Sequence, residues 1–253
     1  MQPFLDDIRA DLAALKSGGN YRALREIAPE GDGRSRYDGR VLCNLSSNDY
    51  LGLAGDAELR EDFYRQYNGD WRTPELALSS ASSRLLTGNT PAYARLETAL
   101  SELYGGRAAL VFNSGYHANI GILPALAKAG DLVISDKLNH ASIIDGLRLC
   151  GAEFLRYPHV DLDRLEATLA SRRHEYKRVF VVTESIFSMD GDTVDLRRLV
   201  ALKERYDCAL VVDEAHAVGV RGPKGAGLCA EQGVAERVDV LIGTFGKALG
   251  STG

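Results

Sequence analysis

Six short apolar runs set the terms on which this chain can fold: Ala109–Phe112, Leu132–Ile134, Phe154–Tyr157, Val179–Thr183, Ala209–Val212 and Val238–Ile242. A run such as Val179-Phe180-Val181-Val182 has no polar alternation, so it suits a strand buried on both faces of a sheet. Helix-like stretches lie between the runs, among them 161–174 and 195–206. This alternation predicts an α/β fold with a mostly parallel sheet flanked by helices. Such sheets bind ligands beyond the carboxyl ends of their strands, so the residues after each run carry the functional reading.

Upstream, Pro91 opens an amphipathic helix that runs to Tyr104, with Gly105-Gly106 as its stop. Phe4 to Lys16 reads as another helix, and the polar stretch around Gly31-Asp32-Gly33 reads as a boundary. The expected organisation is an N-terminal arm over 1–40 and a large domain over 41–253. A chain of 253 residues can bury a core without disulfide or metal staples. Its four cysteines are far apart and form no CxxC pair, which fits reduced thiols in a cytoplasmic protein. A net charge of −5 disfavours a nucleic-acid partner gripped through phosphates. No apolar run approaches the roughly 20 residues of a membrane span. The acidic start, Met1 to Asp7, lacks the basic-then-apolar opening of a secretory signal.

Asn113-Ser114-Gly115-Tyr116-His117 follows the first run and enters a helix near Ala118, offering free amides and a helix dipole to a phosphate. Asp136 to Ser142 follows the second, with His140 at a helix start. Glu184 to Asp192 follows the fourth as a loop rich in hydrogen-bonding groups. The fifth run ends in Asp213-Glu214-Ala215-His216, where a carboxylate at the tip of a buried strand needs a cation or a donor. The last leads to Thr244-Phe245-Gly246-Lys247, a lysine in a glycine-flanked loop. Rival readings fail on spacing. Asp-Glu-Ala-His has the letters of a helicase nucleotide motif, but no G-x-x-x-x-G-K-[ST] accompanies it. Gly225-Ala226-Gly227-Leu228-Cys229-Ala230 matches a dinucleotide pattern only formally, since it does not sit in the first turn after a strand. Asp213 and His216 have no further ligands at metal-site spacing, and no metal is expected.

Seven segments in one order resemble the α-oxoamine synthase family of fold-type I pyridoxal-phosphate (PLP) enzymes. They are Asn44 to Leu53, Ser83 to Asn89, Asn113 to Tyr116, Leu138 to Ser142, Phe187 to Asp192, Asp213 to His216, and Thr244 to Lys247. The resemblance implies that Lys247 holds PLP as an internal Schiff base and later serves as base for the substrate α-proton. It implies that Asp213 pairs with the pyridine nitrogen, that His216 and Ser188 hydrogen-bond the phenolic oxygen, and that His140 stacks on the ring. Gly115 and Tyr116 backbone and the Thr244 hydroxyl would hold the phosphate, with Asn48 and Arg22 at the substrate. A homodimer is implied too.

The implied reaction is acyl transfer, a decarboxylative condensation of an amino acid with an acyl thioester. Alanine and a pimeloyl thioester, of coenzyme A or of a carrier protein, are the expected substrates. A glycine-using sister activity is the alternative within the family. A cofactor- or partner-binding remnant without turnover is the alternative from another class. Family members continue past Gly253 with a further strand and a small C-terminal domain. The resemblance therefore implies a fragment with little condensation activity of its own. Ser80-Ala81-Ser82-Ser83 departs from the glycines that many relatives carry there.

Overall fold

Residues 2–66, 77 and 79–253 are described in the computed structural model, and the chain divides after Leu45 into two compact units. The first unit opens with helix α1 (Gln2–Ser17) and continues as an antiparallel meander of β1 (Ala28–Gly31), β2 (Arg34–Tyr37) and β3 (Arg40–Cys43). Gly31 pairs with Arg34 and Tyr37 with Arg40, which leaves two-residue turns at Asp32-Gly33 and Asp38-Gly39. All four turn residues have φ between 49° and 71°, the left-handed pair of a type I′ hairpin. The glycine-rich stretch around residue 32 is therefore a hairpin turn. Within these three strands only Ser35 is buried.

The second unit begins with α2 (Ala57–Arg65), a wide turn at Arg84–Gly88, α3 (Pro91–Leu103) and α4 (Gly115–Leu126). Strands and helices then alternate: β4 (Leu132–Asp136), α5 (Ala141–Leu149), β5 (Glu153–Tyr157), α6 (Leu162–Arg172), β6 (Val179–Glu184), α7 (Leu196–Arg205) and β7 (Ala209–Asp213). The short helix α8 (Leu228–Glu231) and strand β8 (Val240–Ile242) follow. All pairings in this sheet are parallel, in the order β5-β4-β6-β7-β8.

Every residue of β4 and β6 is buried, as their apolar runs Leu132–Ile134 and Val179–Val182 require. Alternate side chains feed two cores. Leu132, Ile134, Val179, Val181, Leu210 and Val212 pack with Leu165 and Leu169 of α6 and Leu196, Leu199 and Val200 of α7. Val133, Phe180, Val182, Val211 and Ile242 pack with Ala118 and Leu123 of α4 and Ile143 and Leu147 of α5. Each fully buried leucine contributes about 1.5–3 kcal/mol. Helices α4 and α5 approach closely at Gly146, where a Cβ would stand 2.6 Å from the Asn119 carbonyl oxygen. Side-chain caps start the helices: Ser114 accepts from the His117 amide, Asp161 from Arg164 and Asp195 from Arg198.

One expected strand is absent. Ala109–Phe112 stays outside the sheet because side chains claim the backbone of Val111. Its amide donates to Glu97 Oε1 and its carbonyl accepts from Arg84 Nη1, both at 2.8 Å. Arg84 and Glu97 are themselves paired at 2.8 Å. No helix among the described residues is long and apolar enough to cross a membrane.

Candidate active site

Three adjacent strands end in acids. Asp136 closes β4, Glu184 closes β6 and Asp213 closes β7, with Glu184 and Asp213 in register. Their exposures are 0%, 3% and 6%. A buried carboxylate is tolerated only with donors to satisfy it, and each has found some. Asp213 Oδ2 accepts from Asn119 Nδ2 and Oδ1 from the Ala215 amide, both at 2.9 Å. Glu184 Oε1 accepts from the His140 amide at 2.6 Å. Burial, helped by the Asp213 charge, pushes the Glu184 carboxyl up to about 7. Asp136 accepts from the Leu138 and Val160 amides at 2.8 Å and faces His159 Nδ1 at 2.9 Å.

The neighbouring Glu214 is also buried, and its Oε1 accepts from the Cys229 amide at 2.9 Å. Gly227, at φ +97°, gives that carboxylate its room, since a Cβ there would lie 1.5 Å from Glu214 Oε2. The Gly225–Ala230 pattern thus seats a buried acid and is not a nucleotide loop.

Lys247 lies half-buried after β8, with Nζ 2.8 Å from His216 Nε2. Burial lowers its pKa against the pull of Asp213 and Glu184. His216 is 9% exposed, and burial, with the charges of Lys247 and His140 nearby, brings it down to about 4. Its Nδ1 meets the Tyr50 hydroxyl at 2.7 Å, and Tyr50 also hydrogen-bonds Asn48 Oδ1 at 3.1 Å. Asn48 is thereby joined to His216 and Lys247.

His140 is exposed and caps α5, with Nδ1 accepting from the Ser142 amide at 3.2 Å. Gly115 opens α4, and a Cβ there would stand 3.4 Å from Thr244 Cβ, so these two positions adjoin. The amides of Gly115 and Tyr116 belong to the first turn, which has no acceptors of its own, at the positive end of the helix dipole. The Thr244 hydroxyl donates to the Gly253 carbonyl at 2.7 Å and accepts from the Gly246 amide at 3.1 Å. Tyr116 is exposed and donates to Asp145 Oδ2 at 3.0 Å. Ser188 stands exposed in the loop after β6, outside the hydrogen-bonded group around Lys247. Arg22 is exposed on the first unit.

An apolar groove of about 490 Å³ runs along Val240–Ile242, Ala109 to Phe112 and Ile122, and none of the titratable groups around Lys247 line it.

Residues 40–253 match the aminotransferase class I and II family. The chain belongs to that family. Among its relatives in this family, the 8-amino-7-oxononanoate synthase of Chlorobaculum parvum is 54% identical over 251 residues, covering 99% of this chain and 64% of that protein. The chain thus spans less than two thirds of the relative's length. Among solved structures, serine palmitoyltransferase from S. paucimobilis with bound PLP–myriocin aldimine superposes with a TM-score of 0.85. It is 29% identical and covers 100% of this chain and 62% of its own. The 8-amino-7-oxononanoate synthase of Francisella tularensis gives a TM-score of 0.65 at 27% identity, covering 83% of this chain and 56% of its own. The α/β fold with its parallel sheet is that of these family members. The resemblance read from the seven segments agrees with their names.

Sequence reading missed three residues of this site: Glu184, Asn119 and Tyr50. Glu184 carries nearly the same signal as Asp213, an acid at the end of a buried, mostly apolar strand. Asn119 lies mid-helix and Tyr50 lies 166 residues from His216, so neither has a local signal.

Proposed function

We propose that this protein is a PLP-dependent acyltransferase that condenses L-alanine with a pimeloyl thioester, releasing carbon dioxide and forming 8-amino-7-oxononanoate. The observation that carries the reading is the lysine–imidazole contact of Lys247 and His216, set beside the buried carboxylate Asp213 at the strand ends. The donor set fits the cofactor. A buried carboxylate already holding two donors suits a protonated pyridine nitrogen. The open first-turn amides of α4 beside Thr244 suit a phosphate. A lysine made less basic by burial suits covalent attachment.

When bound, PLP supplies an electron sink for negative charge developing at the amino-acid α-carbon. Lys247 Nζ would hold the cofactor and is the base for the α-proton. Asp213 would keep the ring nitrogen protonated, and Asn119 holds the Asp213 carboxylate in place. His216, with Ser188, would face the phenolic oxygen, and His140, its amide fixed by Glu184, would cover the ring face. Gly115, Tyr116 and Thr244 would bind the phosphate. Asn48 and Arg22 are assigned to the substrate. Leu85 and Leu86, 94% and 78% exposed on the Arg84–Gly88 turn, support a homodimer, and a cytoplasmic setting suits the reduced cysteines.

The likeness to serine palmitoyltransferase favours serine as a second reading, but the higher identity to the Chlorobaculum parvum relative favours alanine. The test is the absorbance of the PLP-loaded chain while alanine, glycine, serine and threonine are added in turn. Alanine is expected to perturb the spectrum at the lowest concentration. A stronger response to glycine or serine, or none to any of them, overturns the alanine assignment.

A further inference from the structure

An ammonium group has donors and no acceptor, so a His216 Nε2 lying 2.8 Å from the Lys247 ammonium is unprotonated and accepts. Neutral His216 then carries its proton on Nδ1, which meets the Tyr50 oxygen at 2.7 Å. A phenol oxygen that accepts from Nδ1 keeps its own proton to give, and Asn48 Oδ1 stands 3.1 Å away to receive it. The thread therefore runs from Lys247 through His216 and Tyr50 to Asn48, donor to acceptor at each step. Tyr50 is 44% exposed and Asn48 is exposed, so the far end of the thread lies at the surface.

We propose that Tyr50 is a positioning residue that sets the tautomer of His216 and carries the Lys247 proton out to water. In the transfer, an Nζ–H bond of Lys247 breaks as Nε2–H forms on His216. The Nδ1–H bond breaks as a new Tyr50 O–H forms, and the old phenolic proton passes to a water molecule. Lys247 is left as a neutral amine with a free electron pair. His216 and Tyr50 are neutral before and after, and His216 has changed tautomer. The phenol makes this possible because it can accept from Nδ1–H in one state and donate to bare Nδ1 in the other. The charged and titratable groups facing Lys247 and His216 are Asp213 on β7, Glu184 on β6 and His140 before α5, and these set where the transfer titrates. Burial lowers both basic groups, which keeps His216 neutral while Lys247 changes charge.

The inference builds on the assignment of Lys247 and His216 given above, but its test needs neither PLP nor alanine. Two-bond 15N–1H correlation spectra of the histidine-labelled chain report which ring nitrogen of His216 holds the proton. At pH 6, Nδ1 is expected to be protonated and Nε2 bare. As pH rises through the Lys247 titration, the proton is expected to shift to Nε2. In Tyr50→Phe, the ammonium still keeps Nε2 bare at pH 6, but the bare Nδ1 of the high-pH state loses its donor, so His216 is expected to hold Nδ1–H at both pH values. Nε2–H in the unaltered chain at pH 6, no change of tautomer with pH, or an unchanged pattern in the phenylalanine variant each overturns the proposal. The first two readings come from the unaltered chain and do not depend on how the variant folds. A chain that passes this test and fails to respond to alanine would refute only the substrate assignment.

Discussion

His159 and His216 stand beyond the carboxyl ends of strands in the same sheet, and their surroundings push them in opposite directions. His159 is held between two carboxylates, with Nδ1 2.9 Å from Asp136 and Nε2 2.8 Å from Asp192. Partial burial works against its charge, yet Asp136 and Asp192 prevail and raise its pKa above the ordinary 6.5. His216 faces a lysine and a phenol, and burial with the Lys247 charge takes it down to about 4. The first cluster pairs a cation with anions and ties the loop that carries Ser188 to the end of β4. The second keeps an imidazole neutral beside a lysine and leaves Glu184 near 7. Burial that drives His216 and Glu184 toward their neutral forms marks a place built for chemistry, whereas the charge pairing that raises His159 marks a place built for support.

Asparagine substitutions at the two strand-end aspartates separate these roles most sharply. In the PLP-loaded chain, Asp213→Asn is expected to slow α-proton exchange of alanine by about 10²-fold or more per folded molecule. Asp136→Asn sets an NH2 donor where a carboxylate accepts from two amides and faces His159, and is expected to cost about 1–3 kcal/mol in urea denaturation. Exchange per folded molecule should be retained. If both variants lose exchange equally, the distinction between the clusters fails.

Glu184→Gln comes next in size. The folded carboxyl titrates near 7, above its ordinary 4.5, so its stabilising state is the protonated one. The contribution is full below pH 4.5 and is lost as pH rises through 7, a span worth about 3 kcal/mol. Glutamine keeps an oxygen for the His140 amide and does not titrate. Denaturation midpoints from pH 4 to 8 should therefore show the variant gaining on the parent as pH rises. Parallel curves would mean that Glu184 is ionised throughout.

His159→Gln should give the smallest effect, about 1 kcal/mol, because Asp192 is 43% exposed and its pairing is screened. With a folded pKa raised above 6.5, the imidazolium stabilises fully below pH 6.5, and that contribution falls away as pH rises through the folded value. The stability difference should shrink with pH, with faster amide exchange confined to residues 187–193. Faster exchange around His216 instead would make the two clusters one unit.

Much of this was legible in the residues. Asp213, His216 and Lys247 each follow an apolar strand, and in a parallel sheet the strand end is where chemistry collects. The interior strands β4 and β6 announced themselves by apolar runs without polar alternation. Ala109–Phe112 did not follow its composition, because an apolar run specifies burial but not a partner, and Arg84 and Glu97 took its backbone groups. The Asp-Gly pairs at 32–33 and 38–39 are hairpin signals hidden in a polar stretch. The Tyr50–His216 contact has no signature in sequence, since the fold brings the two together and neither periodicity nor spacing encodes it.

The most direct test of the central assignment is borohydride reduction of the chain loaded with PLP, followed by peptide mapping. The expected result is a pyridoxyl mass on Lys247, absent from Lys247→Ala. A label on Lys137 or Lys224, or none retained after reduction, would contradict it.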